Sequence, residues 1–218
     1  MPDIDKINNV AVADISKLDS ITFANGQKVN NQDVSLITDA HTLIATATAS
    51  SSSSLTFTSG IDSTYDVYEF EFINLHAATN SVFFQFQVNA TDGADYNASA
   101  ITSTFYAAYH DESDGFAAVG YEAGDDFQQS TSDIRLTKWV ANGNDESLSG
   151  KLTLYAPSST TYVKHFMSRI ANLKIEEAIS DTSVAGYIND TTAIDDIKFQ
   201  MSSGNIDTGV IKMYGLAK

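Results

Sequence analysis

The sequence contains no cysteine, which excludes a disulfide framework and any thiolate-held metal centre. A chain of 218 residues is long enough to bury a core without such staples. Only 2 prolines are present, and Thr, Ser, Asp and Asn fill the polar positions, a mixture suited to strands and turns rather than helices. Cations are scarce, with 12 Lys and Arg against 28 Asp and Glu, a net charge of −16. That balance argues against binding a nucleic-acid backbone, which requires clustered Lys and Arg, and against adsorption to an anionic membrane. It is suited to solubility, above all in a salty medium where self-repulsion is screened. No apolar run is long enough to insert through a bilayer. The opening Met1-Pro2-Asp3-Ile4-Asp5 is acidic and lacks an apolar segment, so secretion by signal peptide is not expected.

Motifs of catalysis are also missing. His41, His76, His110 and His165 lie far apart, without metal-binding spacing. No nucleophile elbow, phosphate-binding loop or dinucleotide fingerprint occurs. Nothing favours one carboxylate pair among 28 acids for glycoside hydrolysis. No catalytic residue, metal ligand or cofactor is therefore expected. Asp111, Glu112 and Asp114 precede Gly115, with Asp125 and Asp126 nearby, but His110 occupies the position where a calcium loop of EF-hand type needs its first Asp. A solvated acidic loop over residues 110–130 is expected.

What the sequence does contain is alternation. In residues 65–73, Tyr68, Phe70 and Phe72 fall on one face, with Glu69 and Glu71 on the other. Val82, Phe84, Phe86 and Val88 repeat the pattern, with Gln85 and Gln87 opposite. Period-two patterning sets an apolar row against a core and a polar row toward water, and the two segments read as an antiparallel hairpin linked by residues 74–80. Further strands are expected near 43–49, 55–58, 101–109, 133–140, 148–156, 162–167, 183–189 and 194–201. A last hairpin sets Ile197, Phe199 and Met201 beside Ile211 and Met213. Residues 169–179 are open between strand and short helix. Roughly ten short strands separated by turns predict an all-β, antiparallel, jelly-roll-like sandwich over residues 38–218. Tyr106, Tyr109, Tyr121 and Trp139 would stack on sugars if exposed, or serve as core or interface residues if not.

Residues 1–37 form a separate arm with a repeat of period eleven: Lys6-Ile7-Asn8-Asn9, Lys17-Leu18-Asp19-Ser20 and Lys28-Val29-Asn30-Asn31. Asn and Asp tolerate left-handed backbone, which marks each unit's end as a turn. The alternating strand expected after the first two turns is lost in the third unit, at Gln32. Units this small cannot bury an apolar face alone, so the arm must stack on itself, on the larger domain or on a partner.

The repeat, together with Val184-Ala185-Gly186-Tyr187-Ile188-Asn189 and the closing segments 197–206 and 209–215, resembles virion structural proteins of marine tailed phages. The resemblance implies a non-enzymatic tail fibre or baseplate appendage, assembled in the host cytoplasm and resident in the virion. Its arm would anchor to other virion proteins through Lys6, Ile7, Asn8, Lys17, Leu18, Asp19, Lys28, Val29 and Asn30. The sandwich would form a homotrimeric head facing a host glycan or receptor. A capsid decoration protein is the alternative within the virion. A carbohydrate-binding or depolymerising module, with Tyr109, Tyr121 and Trp139 as surface contacts, is the alternative outside it.

Overall fold

A computed structural model describes residues 6–7, 10–11, 28–29, 32–33, 41–91, 96, 99–175 and 177–216. Contacts divide the chain into two compact units, Met1–Ala40 and His41–Lys218. In the first, Lys6–Ile7 (β1) pairs antiparallel with Val10–Ala11 (β2), and Lys28–Val29 (β3) with Gln32–Asp33 (β4). The third repeat unit thus keeps the strand after its turn, a correction to the reading at Gln32. A hairpin's main-chain pairing does not require an apolar residue at that position. Asn8, Asn30 and the middle unit, Lys17, Leu18 and Asp19, lie outside the described residues.

The second unit is an all-β antiparallel sandwich. Its strands are His41–Thr48 (β5), Leu55–Phe57 (β6), Val67–Ala77 (β7), Phe84–Ala90 (β8), Ile101–Asp111 (β9), Ala117–Tyr121 (β10), Phe127–Ser130 (β11), Ile134–Arg135 (β12) and Leu148–Tyr155 (β13). Lys164–Lys174 (β14), Ala178–Ile188 (β15), Ile194–Met201 (β16) and Ile206–Leu216 (β17) complete it. The larger sheet has nine strands in the order β10-β9-β15-β14-β13-β7-β17-β5, with β11 also on β9; the smaller runs β12-β8-β16-β6. The chain is dealt repeatedly between the two sheets, as in a jelly roll.

This dealing corrects both expected hairpins. β7 pairs with β13 and β17, whereas β8 pairs with β12 and β16. Their aromatic rows meet face to face instead, with Phe72 and Phe84 ring centroids 5.0 Å apart. Likewise β16 and β17 occupy opposite sheets. An alternating row is buried equally well beside a partner or across from one, so periodicity does not separate the two arrangements.

Three other expectations change. The described residues of 169–179 belong to β14 and β15, paired in a continuous register from Lys164↔Ile188 to Lys174↔Ala178. The spacing of Ile170 and Leu173 suggested a helix, but Ile170, Asn172 and Lys174 face inward at period two. The expected strand 133–140 is reduced to Ile134–Arg135 and an isolated bridge at Val140, interrupted at Trp139, whose φ is 51°. Residues 110–130 are no simple loop, because β10 and β11 both pair with β9. Every β10 residue is exposed, so that strand has no burial alternation to read.

Phe57, Phe70, Phe72, Phe84, Phe86 and Phe199 fill the space between the sheets, all buried. Gly209, at φ +114°, lets β17 run close beside β7 where their register shifts; a Cβ there would lie 2.5 Å from the Asn74 carbonyl oxygen. Gly209→Ala is therefore expected to cost about 2 kcal/mol, through strained backbone and a displaced strand. Urea unfolding checks this, and an unchanged midpoint would contradict it.

Candidate functional site

Two regions gather the side chains with chemistry. The first lies where the β10–β11 excursion tucks toward the smaller sheet. Lys138 donates to Glu122 and also reaches Asp125 at 3.0 Å, while Arg135 pairs with the same Asp125. The Tyr109 hydroxyl donates to Glu122 at 2.9 Å. The ammonium groups of Lys138 and Lys174 each lie 4.8 Å from the Trp139 ring, and Lys174 sits 4.2 Å over Tyr109. Arg135 also covers Phe83 at 4.1 Å. Cations on aromatic faces beside two carboxylates form a network that staples the sheet's edge to the smaller sheet, although the buried Arg135 Nε makes no hydrogen bond within it.

Electrostatics in this cluster follow from its pairing. The Lys138 hydrogen bond holds the Glu122 carboxyl below its usual range, against the effect of burial. Burial, then the hydrogen bond to Glu122, pushes the Tyr109 phenol upward. The expected solvated acidic loop is thus partly sequestered, with Asp125 only 5% exposed. Nearby, Asp111 accepts from Ser113 and from the Phe116 amide, and Tyr121 donates to Asp126. These carboxylates serve local structure, and no group of three or more His, Cys, Asp or Glu among the described residues is arranged to hold a metal. The histidines are dispersed: His41 stacks on Tyr214 at 4.5 Å, His76 touches the Gly143 carbonyl at 3.0 Å, and His110 meets Asp114 at 3.1 Å. His165 lies beside Tyr187, with ring centroids 6.5 Å apart. Lys164 is fully buried and spends its ammonium on the Asp190 and Thr192 carbonyls. Burial lowers its pKa.

The second region is the outer face of the larger sheet. One cross-strand row runs Tyr121, Tyr106, Ser183, Arg169, Lys151 and Glu71. The next runs Thr104, Ala185, Met167, Thr153 and Glu69. Tyr155 and Met167 are exposed neighbours, with the hydroxyl 3.8 Å from the sulfur. All of these but Tyr121 and Glu71 line a shallow depression of about 610 Å³ that also includes Val67 and Leu216. Lys151 pairs with Glu69 at 2.7 Å, and Arg169 grips Asp181 through two bonds of 3.0 and 2.6 Å.

The sequence-derived aromatics divide between the regions. Tyr121 is exposed and packs edge-on against Tyr106 at 5.1 Å. Tyr109 is only 8% exposed and faces inward, and Trp139 belongs to the ionic staple; neither lies on the outer sheet face. Of the arm's expected anchoring residues, Lys6, Ile7, Lys28 and Val29 lie on paired strands. Sequence reading set Glu69 on the water-facing side of its strand but did not single out Tyr155, Met167, Arg169 or Lys151. Their signal was phase: each falls out of step with the inward rows of Leu152 and Leu154 or Phe166 and Ile170.

Compared with family models, curated proteins and solved structures, the chain matches none.

Proposed function

We propose that this chain is a non-catalytic virion structural protein, most simply a tail appendage, whose outer sheet face contacts the surface to which the particle adheres. The observation that carries the adhesive part is the exposure of Tyr106, Tyr121, Tyr155 and Met167 along one sheet. Large exposed apolar patches rimmed by polar groups mark interaction sites. The virion part is supported by the resemblance of the arm and closing strands. The same Lys-aliphatic pair opens a two-stranded hairpin at Lys6–Ile7 and again at Lys28–Val29, which suits a repeated docking element.

Quantitative mass spectrometry of purified particles tests this assignment. Low copy number, together with a domain lacking residues 1–37 that folds but no longer joins particles, is the expected result. Copy numbers comparable to the capsid subunit would transfer the assignment to capsid decoration. Absence from every particle would overturn it. On the adhesive side, Met167→Glu is expected to reduce particle adsorption several-fold while leaving the unfolding midpoint within about 0.5 kcal/mol of the parent.

A further inference from the structure

We infer that the depression on the outer sheet face is a binding site for an uncharged oligosaccharide chain, an inference that rests on the adhesive reading of this face. Its shape and its charge both point there. The floor is built of small side chains, Thr104, Thr153, Ser183 and Ala185, while Tyr106 and the Tyr155–Met167 pair stand up from it. Tyr106 is 51% exposed and Met167 56%. Aromatic faces attract the weakly polarised C–H faces of sugar rings, and rigid Tyr side chains give contact area at low entropic cost.

The polar rim is matched to hydroxyl groups rather than to ions. Glu69 and Asp181 are balanced by Lys151 and Arg169, so these two ion pairs carry no net charge in a chain carrying −16. An anionic polymer would face both carboxylates and the acidic surroundings; a cationic one would compete with Lys151 and Arg169 for their partners. A neutral sugar meets neither obstacle. Each ion pair also leaves donors and acceptors unspent, since a guanidinium has five N–H groups and an ammonium three. Pre-paired charges are oriented before a ligand arrives, which lowers the ordering cost of hydrogen bonds to hydroxyl groups.

The two aromatic stations define the ligand's length. Tyr106 on β9 and Tyr155 on β13 are separated by three strand spacings across the sheet and four residues along it. With ordinary strand geometry this is about 20 Å between backbones. One sugar ring reaches one station, and only a chain of several rings reaches both. Affinity should therefore rise with chain length.

Calorimetric titration of the full chain with maltoheptaose, cellohexaose, laminarihexaose and chitohexaose, each beside its disaccharide, tests the inference. Hexameric alginate and chitosan supply the charged comparison. At least one neutral long probe is expected to bind, with its disaccharide at least tenfold weaker. Tyr106→Ala and Tyr155→Ala should each weaken the long probe about tenfold, with circular dichroism unchanged. Val119→Ser, on the exposed edge strand, should leave binding intact. Binding of charged probes alone, binding of no neutral probe, or affinity indifferent to both tyrosines would overturn the inference. Particle adsorption that no oligosaccharide competes away would overturn it while leaving adhesion standing. Oligosaccharide binding by a protein absent from particles would do the reverse to the virion assignment.

Discussion

Replacing Phe199 with alanine is expected to lower stability by about 4 kcal/mol, in the middle of the range for buried aromatic truncation. For a domain of this size that corresponds to a melting temperature about 8–16 °C lower. Phe199 is fully buried on β16, and its ring lies between 5.2 and 6.5 Å from those of Phe57, Phe70, Phe72, Phe84 and Phe86. These five come from both sheets: Phe70 and Phe72 from β7, the others from β6 and β8. Truncation thus removes contacts on both sides of the interface, and strands held by main-chain ladders cannot collapse freely into the gap. Thermal unfolding measures the effect, with the exposed Tyr155→Ala expected within about 0.5 kcal/mol of the parent. A loss below 1 kcal/mol for Phe199→Ala would mean that the rings do not form one packed cluster.

The second large effect is expected at Lys138. Lys138→Met keeps the aliphatic stem but removes the charge facing Glu122 and Asp125. Breaking one side of a mostly buried ion pair strands the other charge, at about 3 kcal/mol near neutral pH. Arg135 still pairs with Asp125 and Tyr109 with Glu122, which keeps the loss at the lower end of such cases.

The pH dependence separates charge from packing. The Lys138 hydrogen bond, as the leading cause, holds the folded Glu122 carboxyl below its unfolded value, which is near 4.3. A depressed carboxylate stabilises the fold fully above that unfolded value and loses the contribution as pH falls through the folded one. Burial opposes the Lys138 charge, yet hydrogen bonds to Glu122 and Asp125 leave its pKa raised. That contribution is complete at neutral pH and vanishes only above the ordinary lysine range. The difference between parent and Lys138→Met should therefore be constant from about pH 6 to 8 and shrink below about pH 4. Urea midpoints across this series measure it. A difference that stays constant into acid would assign the loss to packing.

How much of this was legible in the sequence depends on what each signal encodes. Alternation in residues 65–73 and 82–89 marked two strands and their apolar buried rows, because side-chain direction is a local property of extended backbone. However, β7 runs on to Ala77 through the expected connection, and Gln87, placed on the water-facing side, is buried. Sparse proline and the Thr, Ser, Asp and Asn of the polar positions likewise led to an all-β class without reference to distant contacts. Pairing was different. Whether β7 meets β8 edge to edge or face to face turns on which distant strands, β13 and β17 or β12 and β16, take the ladder positions. An alternating row is the same in either case.

The candidate site divides along the same line. The sequence by itself set Leu152 and Leu154 on one face of their strand, which leaves Tyr155 out of step with them. The outward direction of Met167 and Arg169 became plain only from the extended backbone of residues 164–174. Only tertiary pairing decided that they share one face with Tyr106, some fifty to sixty residues earlier. The same holds inside the staple. Glu122 and Asp125 read as members of an acidic loop, until β10 and β11 bring them beneath Lys138 and Arg135, with Asp125 buried and Glu122 partly so. Local periodicity sets which way a side chain points; the burial of two sheets against each other decides what it meets there.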